Sequence, residues 1–312
     1  MQEESKLQEK VQEFEVTDTY DGSRLDKFLS AIYSGQSRTF FQKLIKAGNV
    51  TVNGEIIQKN SFPVSMDDLV TVTIPETESV DILPEDIPLD ILYEDEDVLI
   101  VNKPKGMVVH PCPGHYSHTL VNAVMYHCRD SLSGINGIIR PGIVHRIDKD
   151  TTGSLIVCKN DKAHMDIAEQ IKAHTVRRIY RGIVIGNVAE DTGRIEGNIG
   201  RDPKDRKKMA VVPNGKAAVT HYRVLERFQK YTYMEFQLET GRTHQIRVHM
   251  ASIRHPLLGD TVYGPEKQPV KGLEGQTLHA MTIGFIHPSA KEYVEYLAEL
   301  PEYFQNLLNK FS

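Results

Sequence analysis

Pro141-Gly-Ile-Val-His-Arg-Ile-Asp-Lys-Asp-Thr-Thr-Gly153 sets two carboxylates, an arginine and a histidine between glycines, directly ahead of the apolar run Leu155-Ile-Val-Cys158. Residues 142–144 and 155–158 read as short strands, so the polar residues fall in the turn between them, where glycine permits backbone geometry closed to other residues. A carboxylate on such a turn is held rigidly and still reaches solvent. Asp148 and Asp150 both qualify, and aspartates in turns also cap their own backbone.

His145-Arg-Ile-Asp148 followed by Thr151-Thr-Gly153 closely resembles the His-Arg-Leu-Asp signature of the RluA/RluD family of RNA pseudouridine synthases, with isoleucine in place of leucine at similar volume. The resemblance continues through Asn102-Lys-Pro-x-Gly106 with His110-Pro111, Arg178-Ile-Tyr180-Arg181, and Gly241-Arg-Thr-His-Gln-Ile-Arg247-Val-His, across roughly residues 91–304. It implies an α+β pseudouridine synthase fold, with mostly antiparallel mixed sheets around a catalytic cleft. It also implies an isomerase that converts uridine in RNA to pseudouridine without a cofactor. By the same resemblance Asp148, and not Asp150, is the catalytic aspartate. Arg247 pairs with it, a planar guanidinium being able to hold a carboxylate through two parallel hydrogen bonds. Tyr180 stacks on the target base with its hydroxyl near C5, and Arg146 attends the flipped nucleotide.

Moving outward, 312 residues with 40% apolar content can bury a sizeable core and suggest about two domains. The polar N-terminus and the lack of a long apolar run point to a cytoplasmic protein without a membrane partner. Three cysteines with no Cys-x-x-Cys spacing argue against a disulfide framework. The net charge of −5 misleads as an average: residues 1–21 carry seven acids and two bases and residues 76–97 ten acids and no base, which together hold −15 and leave the rest at +10. Such a chain can still present basic surface to RNA.

Residues 1–20 read as an acidic tail with a weak helical spacing at Leu7, Val11 and Phe14. Residues 21–75 give two short helices, an Asn53-Gly54 hairpin turn and an alternating strand at 69–74. Arg24-Leu-Asp-Lys-Phe28, Ser37-Arg38, Leu44-Ile45 and Gly48-x-Val50-x-Val52-Asn-Gly54 resemble an α/β S4 RNA-binding domain. Its Arg24, Lys27, Arg38, Lys43 and Lys46 could track a phosphate backbone. Residues 76–90, acidic and containing Pro84 and Pro88, read as a solvated linker, and 91–312 as the catalytic domain.

Arg178, Arg201, Lys204, Arg206, Lys207, Lys208 and Arg242 are further candidates for RNA contact, and Arg177 and Arg181 crowd the same region. His244 and His249 read as strand-borne pocket or core residues, and the plain alternative for Arg247 is a surface arginine on a strand. His110, Cys112, His115 and His118 suggest zinc by composition, but Pro111 and Pro113 restrict convergence, and no metal is expected. His145 and Asp150 are read as structural. The S4-like attachment and the likeness to the RluD branch favour large-subunit ribosomal RNA, free or in a pre-ribosomal particle, over tRNA. A non-catalytic ribosome-assembly protein is the rival reading, and no obligate protein partner is implied.

Overall fold

The computed structural model describes residues 10–33, 37–74, 82–112, 115–129, 131–135, 137, 140–205 and 208–312. The chain divides into two compact units, Met1–Val80 and Asp81–Ser312.

The small unit contains β1 (Lys10–Glu15), α1 (Leu25–Ile32), α2 (Arg38–Lys46), β2 (Val50–Val52), β3 (Glu55–Ile56) and β4 (Leu69–Ile74). Its strands form an antiparallel sheet in the order β1-β4-β2-β3. The apolar stripes of the two helices, Leu25, Phe28 and Leu29 with Phe41, Leu44 and Ile45, bury against Val50, Val52, Val70 and Val72. Ser37 caps α2 by accepting from the Phe40 amide at 3.3 Å. Asn53 and Gly54 both take positive φ, 51° and 86°, as a two-residue hairpin turn requires. The tail departs from its helical spacing: Phe14 packs on the core and Val16 lies inside it, the period-2 pattern of a strand paired along β4. Residues 1–9 and 75–81 lie outside the described residues.

The larger unit continues with β5 (Ile91–Glu94), β6 (Val98–Lys103), α3 (Leu120–Cys128), β7 (Thr152–Cys158), α4 (Asp161–Lys172), β8 (Arg177–Ile185), β9 (Thr192–Glu196), β10 (Ile199–Arg201), β11 (Met209–Val211), β12 (Val219–Arg227), β13 (Tyr231–Leu238), α5 (Gln245–Ser252), β14 (Leu278–Ile286), β15 (Tyr293–Leu297) and α6 (Glu302–Phe311). Nine strands make one sheet in the order β5-β6-β7-β14-β8-β13-β12-β9, with β15 also on β14. β14 runs parallel to β7, and the other pairings of this sheet are antiparallel. Both faces of its β6–β7 end are covered. Leu99 and Val101 join the cluster of α3 residues Leu120, Val121 and Val124, while Val98 and Ile100 join that of α4 residues Ala163 and Ile167.

Three expectations change here. Residues 142–144 form no strand; one bridge, Ile143 to Val157, remains of that pairing. Residues 82–90, read as a solvated linker, lie along the larger unit: Ile82 is buried in its core, and Asn122 donates to the Leu83 carbonyl at 2.8 Å. The segment at 245–252 is the helix α5 and not a strand. Cys112, Cys128 and Cys158 are free thiols.

Candidate active site

The turn between residues 142 and 152 is fixed from several sides. Thr151 N donates to the Asp148 carbonyl at 3.0 Å and Gly106 N to the Lys149 carbonyl at 3.0 Å. The buried Lys103 ammonium donates to the carbonyls of Pro104, Met107 and Lys149 at 2.8, 2.8 and 3.0 Å. Burial pushes its pKa down to about 7, with Asp150 and Asp148 pulling the other way. Three acceptors match the three donors of an ammonium, so this lysine ties the Asn102-Lys-Pro segment to the Asp148 turn. The turn ends on Gly153, whose φ of 112° and contact with the Ala280 carbonyl leave no room for a Cβ.

Asp148 therefore stands at the edge of the sheet core, its side chain 18% exposed, and Arg247 NH1 donates to its Oδ2 at 2.9 Å. The arginine comes from α5, a helix buried at every position from Gln245 to Met250. Its other edge makes the two parallel bonds, Nε and NH2 to Asp260 Oδ2 and Oδ1 at 2.7 and 2.9 Å. The bidentate grip expected on Asp148 thus belongs to Asp260, which is fully buried and also accepts from the amides of Val262 and Tyr263. Burial works against the charge on Arg247, but Asp260 and Asp148 outweigh it and hold its pKa above the usual range. Burial likewise opposes the Asp260 charge, and Arg247 with the two amides holds its pKa low.

His244, the N-terminal cap of α5, takes φ 57°, an uncommon left-handed conformation for a residue with a side chain. Tyr263 OH accepts from the Met209 amide at 2.9 Å, so its hydrogen is free for His244 Nδ1 at 2.8 Å. That leaves the imidazole proton on Nε2, which faces Asp148 Oδ1 at 3.8 Å. Burial lowers the pKa of His244 despite Asp148, so the ring is neutral at neutral pH.

Tyr180 lies on β8, between β14 and β13, and is buried against the same pocket as Asp148, Arg146, Leu238, His244 and Leu278. Burial raises its pKa, so its hydroxyl is a phenol at neutral pH. Arg146 is exposed beside Asp148, and its NH1 donates to His110 Nε2 at 3.2 Å. Burial and Arg146 depress the His110 pKa to about 4, which keeps that nitrogen an acceptor. His145 Nε2 accepts from the Ile156 amide at 2.9 Å, and desolvation brings its pKa to about 3, the behaviour of a structural histidine.

The basic candidates separate. Arg178 is buried, 6% exposed, and shares with Tyr180 the face of β8 that lines the cleft, so it lies off the outer surface. Arg177 and Arg181 point the other way and pair with Glu295 and Glu235 at 2.8 Å each. Arg242 lines the pocket and donates through Nε to the Ala217 carbonyl. Arg201 and Lys204 are exposed and Lys208 half-buried around the β10–β11 hairpin, while Arg206 and Lys207 lie outside the described residues. In the small unit Lys27, Lys43 and Lys46 are exposed. Arg24 and Arg38 donate to the buried Asp26 carboxylate at 3.0 and 2.9 Å, joined by Gln42 at 2.7 Å. Burial disfavours that carboxylate's charge, but these three donors hold its pKa well below the usual range. The two arginines therefore have a structural duty beyond any phosphate. Among the described residues no three His, Cys, Asp or Glu side chains gather in a metal-binding group, and no helix is long and apolar enough to cross a membrane.

Sequence reasoning missed Asp260 and Tyr263. Both lie in Leu258-Gly-Asp-Thr-Val-Tyr263, a stretch with no recognisable spacing to the other site residues.

Comparison with known proteins gives the family. Residues 97–252 match the RNA pseudouridylate synthase family and residues 23–70 the S4 domain. The chain is 55% identical over 285 residues to the uncharacterized RNA pseudouridine synthase YlyB of Bacillus subtilis, covering 91% of this chain and 93% of that one. It is 46% identical to the ribosomal large subunit pseudouridine synthase D of Zymomonas mobilis, covering 94% and 95%. Among solved structures, human RNA Pseudouridylate Synthase Domain Containing 1 superposes with a TM-score of 0.57 at 26% identity, over 72% of this chain and 86% of that one. The chain belongs to the RNA pseudouridine synthase family, in its RluA/RluD branch, with an S4 domain ahead of the synthase domain.

Proposed function

We propose that this RNA pseudouridine synthase modifies uridine in large-subunit ribosomal RNA, and that Asp148 is its catalytic carboxylate. The observation that carries the reading is the Arg247–Asp148 contact at the mouth of the pocket walled by Tyr180. A cleft of about 530 Å³, lined partly by the same residues, opens beside it and has room for a flipped nucleotide.

In the reaction the C1′–N1 bond breaks with its electron pair on the base. Asp148 answers the positive charge at C1′, as nucleophile or as counter-charge. The base turns, C5 bonds to C1′, the C5 hydrogen leaves as a proton and N1 gains one, so product and substrate have equal mass. Arg247, clamped by Asp260, aims Asp148 and sets a positive charge against it. Tyr180 supplies a stacking face, and its protonated hydroxyl suits it to hydrogen-bond the base or relay a proton, not to act as a phenolate. No step calls for a cofactor. The S4 domain, through Lys27, Lys43 and Lys46, adds phosphate contacts. The RluD-type name of the Zymomonas relative supports the ribosomal substrate.

The test is tritium release from RNA labelled at uridine C5, with Asp148→Asn beside the wild type. Release by the wild type and none by the variant at equal RNA binding supports the reading. Equal release by both removes Asp148 from the chemistry. Mapping pseudouridine in ribosomal RNA from cells with and without the protein decides the substrate.

A further inference from the structure

Arg178 is a buried arginine with no carboxylate against it among the described residues. Arg177, Arg181, Arg223, Arg227 and Arg247 each face one. Of the five N–H donors on Arg178, one is used among the described residues, NH2 to the Glu239 carbonyl at 3.3 Å, and Nε is buried without a partner. Burial lowers its pKa. Enclosing a charge without a counter-charge is costly, and proteins retain such groups where a ligand completes them.

The surroundings identify the ligand. NH1 lies under Gly241, close enough that a Cβ there would stand 2.6 Å away. Gly241 is exposed on the wall of the cleft that runs from Asp148, so the missing side chain opens a way to the guanidinium. That wall also carries Arg146, Lys172, His174 and Arg242, and among the described residues Asp148 is the one carboxylate on it. We propose that Arg178, reached over Gly241, anchors a phosphodiester subsite that holds the backbone phosphate adjoining the target uridine. A phosphate offers acceptors alone and suits a guanidinium with unused donors. It is also the anion that must lie near a ribose whose C1′ sits at Asp148, and in that respect the inference rests on the function proposed above.

The subsite makes an unusual demand on stability. An arginine kept for packing or for the Glu239 carbonyl would lower the melting temperature when replaced. One kept for an absent anion would not. Arg178→Met is expected to melt, without RNA, at or above the wild-type temperature. It should bind a transcribed uridine-containing large-subunit rRNA fragment about tenfold or more weakly. Its slope of log affinity against log salt should be shallower by about 0.7, one single-strand phosphate contact. Gly241→Ala, which leaves the charge but obstructs the approach, should weaken binding in the same direction. A lower melting temperature for Arg178→Met with an unchanged salt slope would overturn the subsite, as would full RNA affinity in Gly241→Ala. Binding is read without turnover, so the two readings part: a wild type that releases no tritium but shows the slope difference loses the proposed function and keeps the subsite. Turnover with no slope difference does the reverse.

Discussion

Arg247 meets Asp148 end-on, through NH1 alone at 2.9 Å. Its other edge is given to Asp260, and with side chains 6% and 0% exposed this pair forms the dry half of the Asp148–Arg247–Asp260 chain. The Asp148 carboxylate is thus oriented by a cation whose own direction is set from behind.

Arg247→Lys is therefore not a conservative change. One ammonium cannot bridge two carboxylates in fixed geometry. Turnover is expected to fall by about 10²-fold, with RNA affinity altered far less, because the loss is one of preorganisation. Single-turnover kinetics at saturating RNA separates the two quantities, and a variant that loses affinity alone would move Arg247 from the chemistry to binding.

Removal of Asp260 breaks the pair from the buried side. Asp260→Ala leaves Arg247 with one partner and two amides without an acceptor, and should cost about 3–5 kcal/mol of stability. Denaturant unfolding measures this; a loss under about 1 kcal/mol would show that Asp148 alone suffices to hold the arginine.

Tyr180→Phe keeps the ring and removes the hydroxyl. RNA affinity should stay within about threefold while turnover drops by roughly 10²-fold, the scale of a lost proton relay. Tyr180→Leu should lose affinity as well, and should lower the melting temperature. Equal turnover in Tyr180→Phe and wild type would leave only the stacking role.

His110 and His145 predict an acid limit to stability. Their pKa values, about 4 and about 3, lie below the unfolded value of 6.5. Between pH 6.5 and 4 the unfolded chain binds protons that the folded one refuses, so stability falls as pH falls through that window. Each group contributes at most about 1.4 kcal/mol per pH unit. His145→Gln should flatten the dependence of melting temperature on pH between 6.5 and 4; an unchanged slope would assign the acid sensitivity elsewhere.

The polar motifs of the site were readable because chemistry restricts them: His145 to Asp148, Tyr180 and Gly241 to Arg247 stand where the pocket is. The helix beneath them was not. Ile246, Val248 and Met250 alternate with polar residues as in a strand, and a helix buried from Gln245 to Met250 offers no polar face to betray its period. Asp260 was hidden for another reason, since an acid that pairs only with Arg247 leaves no spacing to recognise. The small domain's basic residues were read incompletely for a related cause: sequence shows that Arg24 and Arg38 are basic, but not that both also hold the buried Asp26.

Gly153 has a consequence for how this protein tolerates change. The turn carrying Asp148 and the strand carrying Tyr180 are separated by β14, and at Gly153 main chain rests directly on main chain, at Ala280. No side chain intervenes to swell, shrink or repack. The spacing between Asp148 and Tyr180 is set at this point by backbone against backbone, so a change of volume in the apolar layers beside it has no side chain there through which to act.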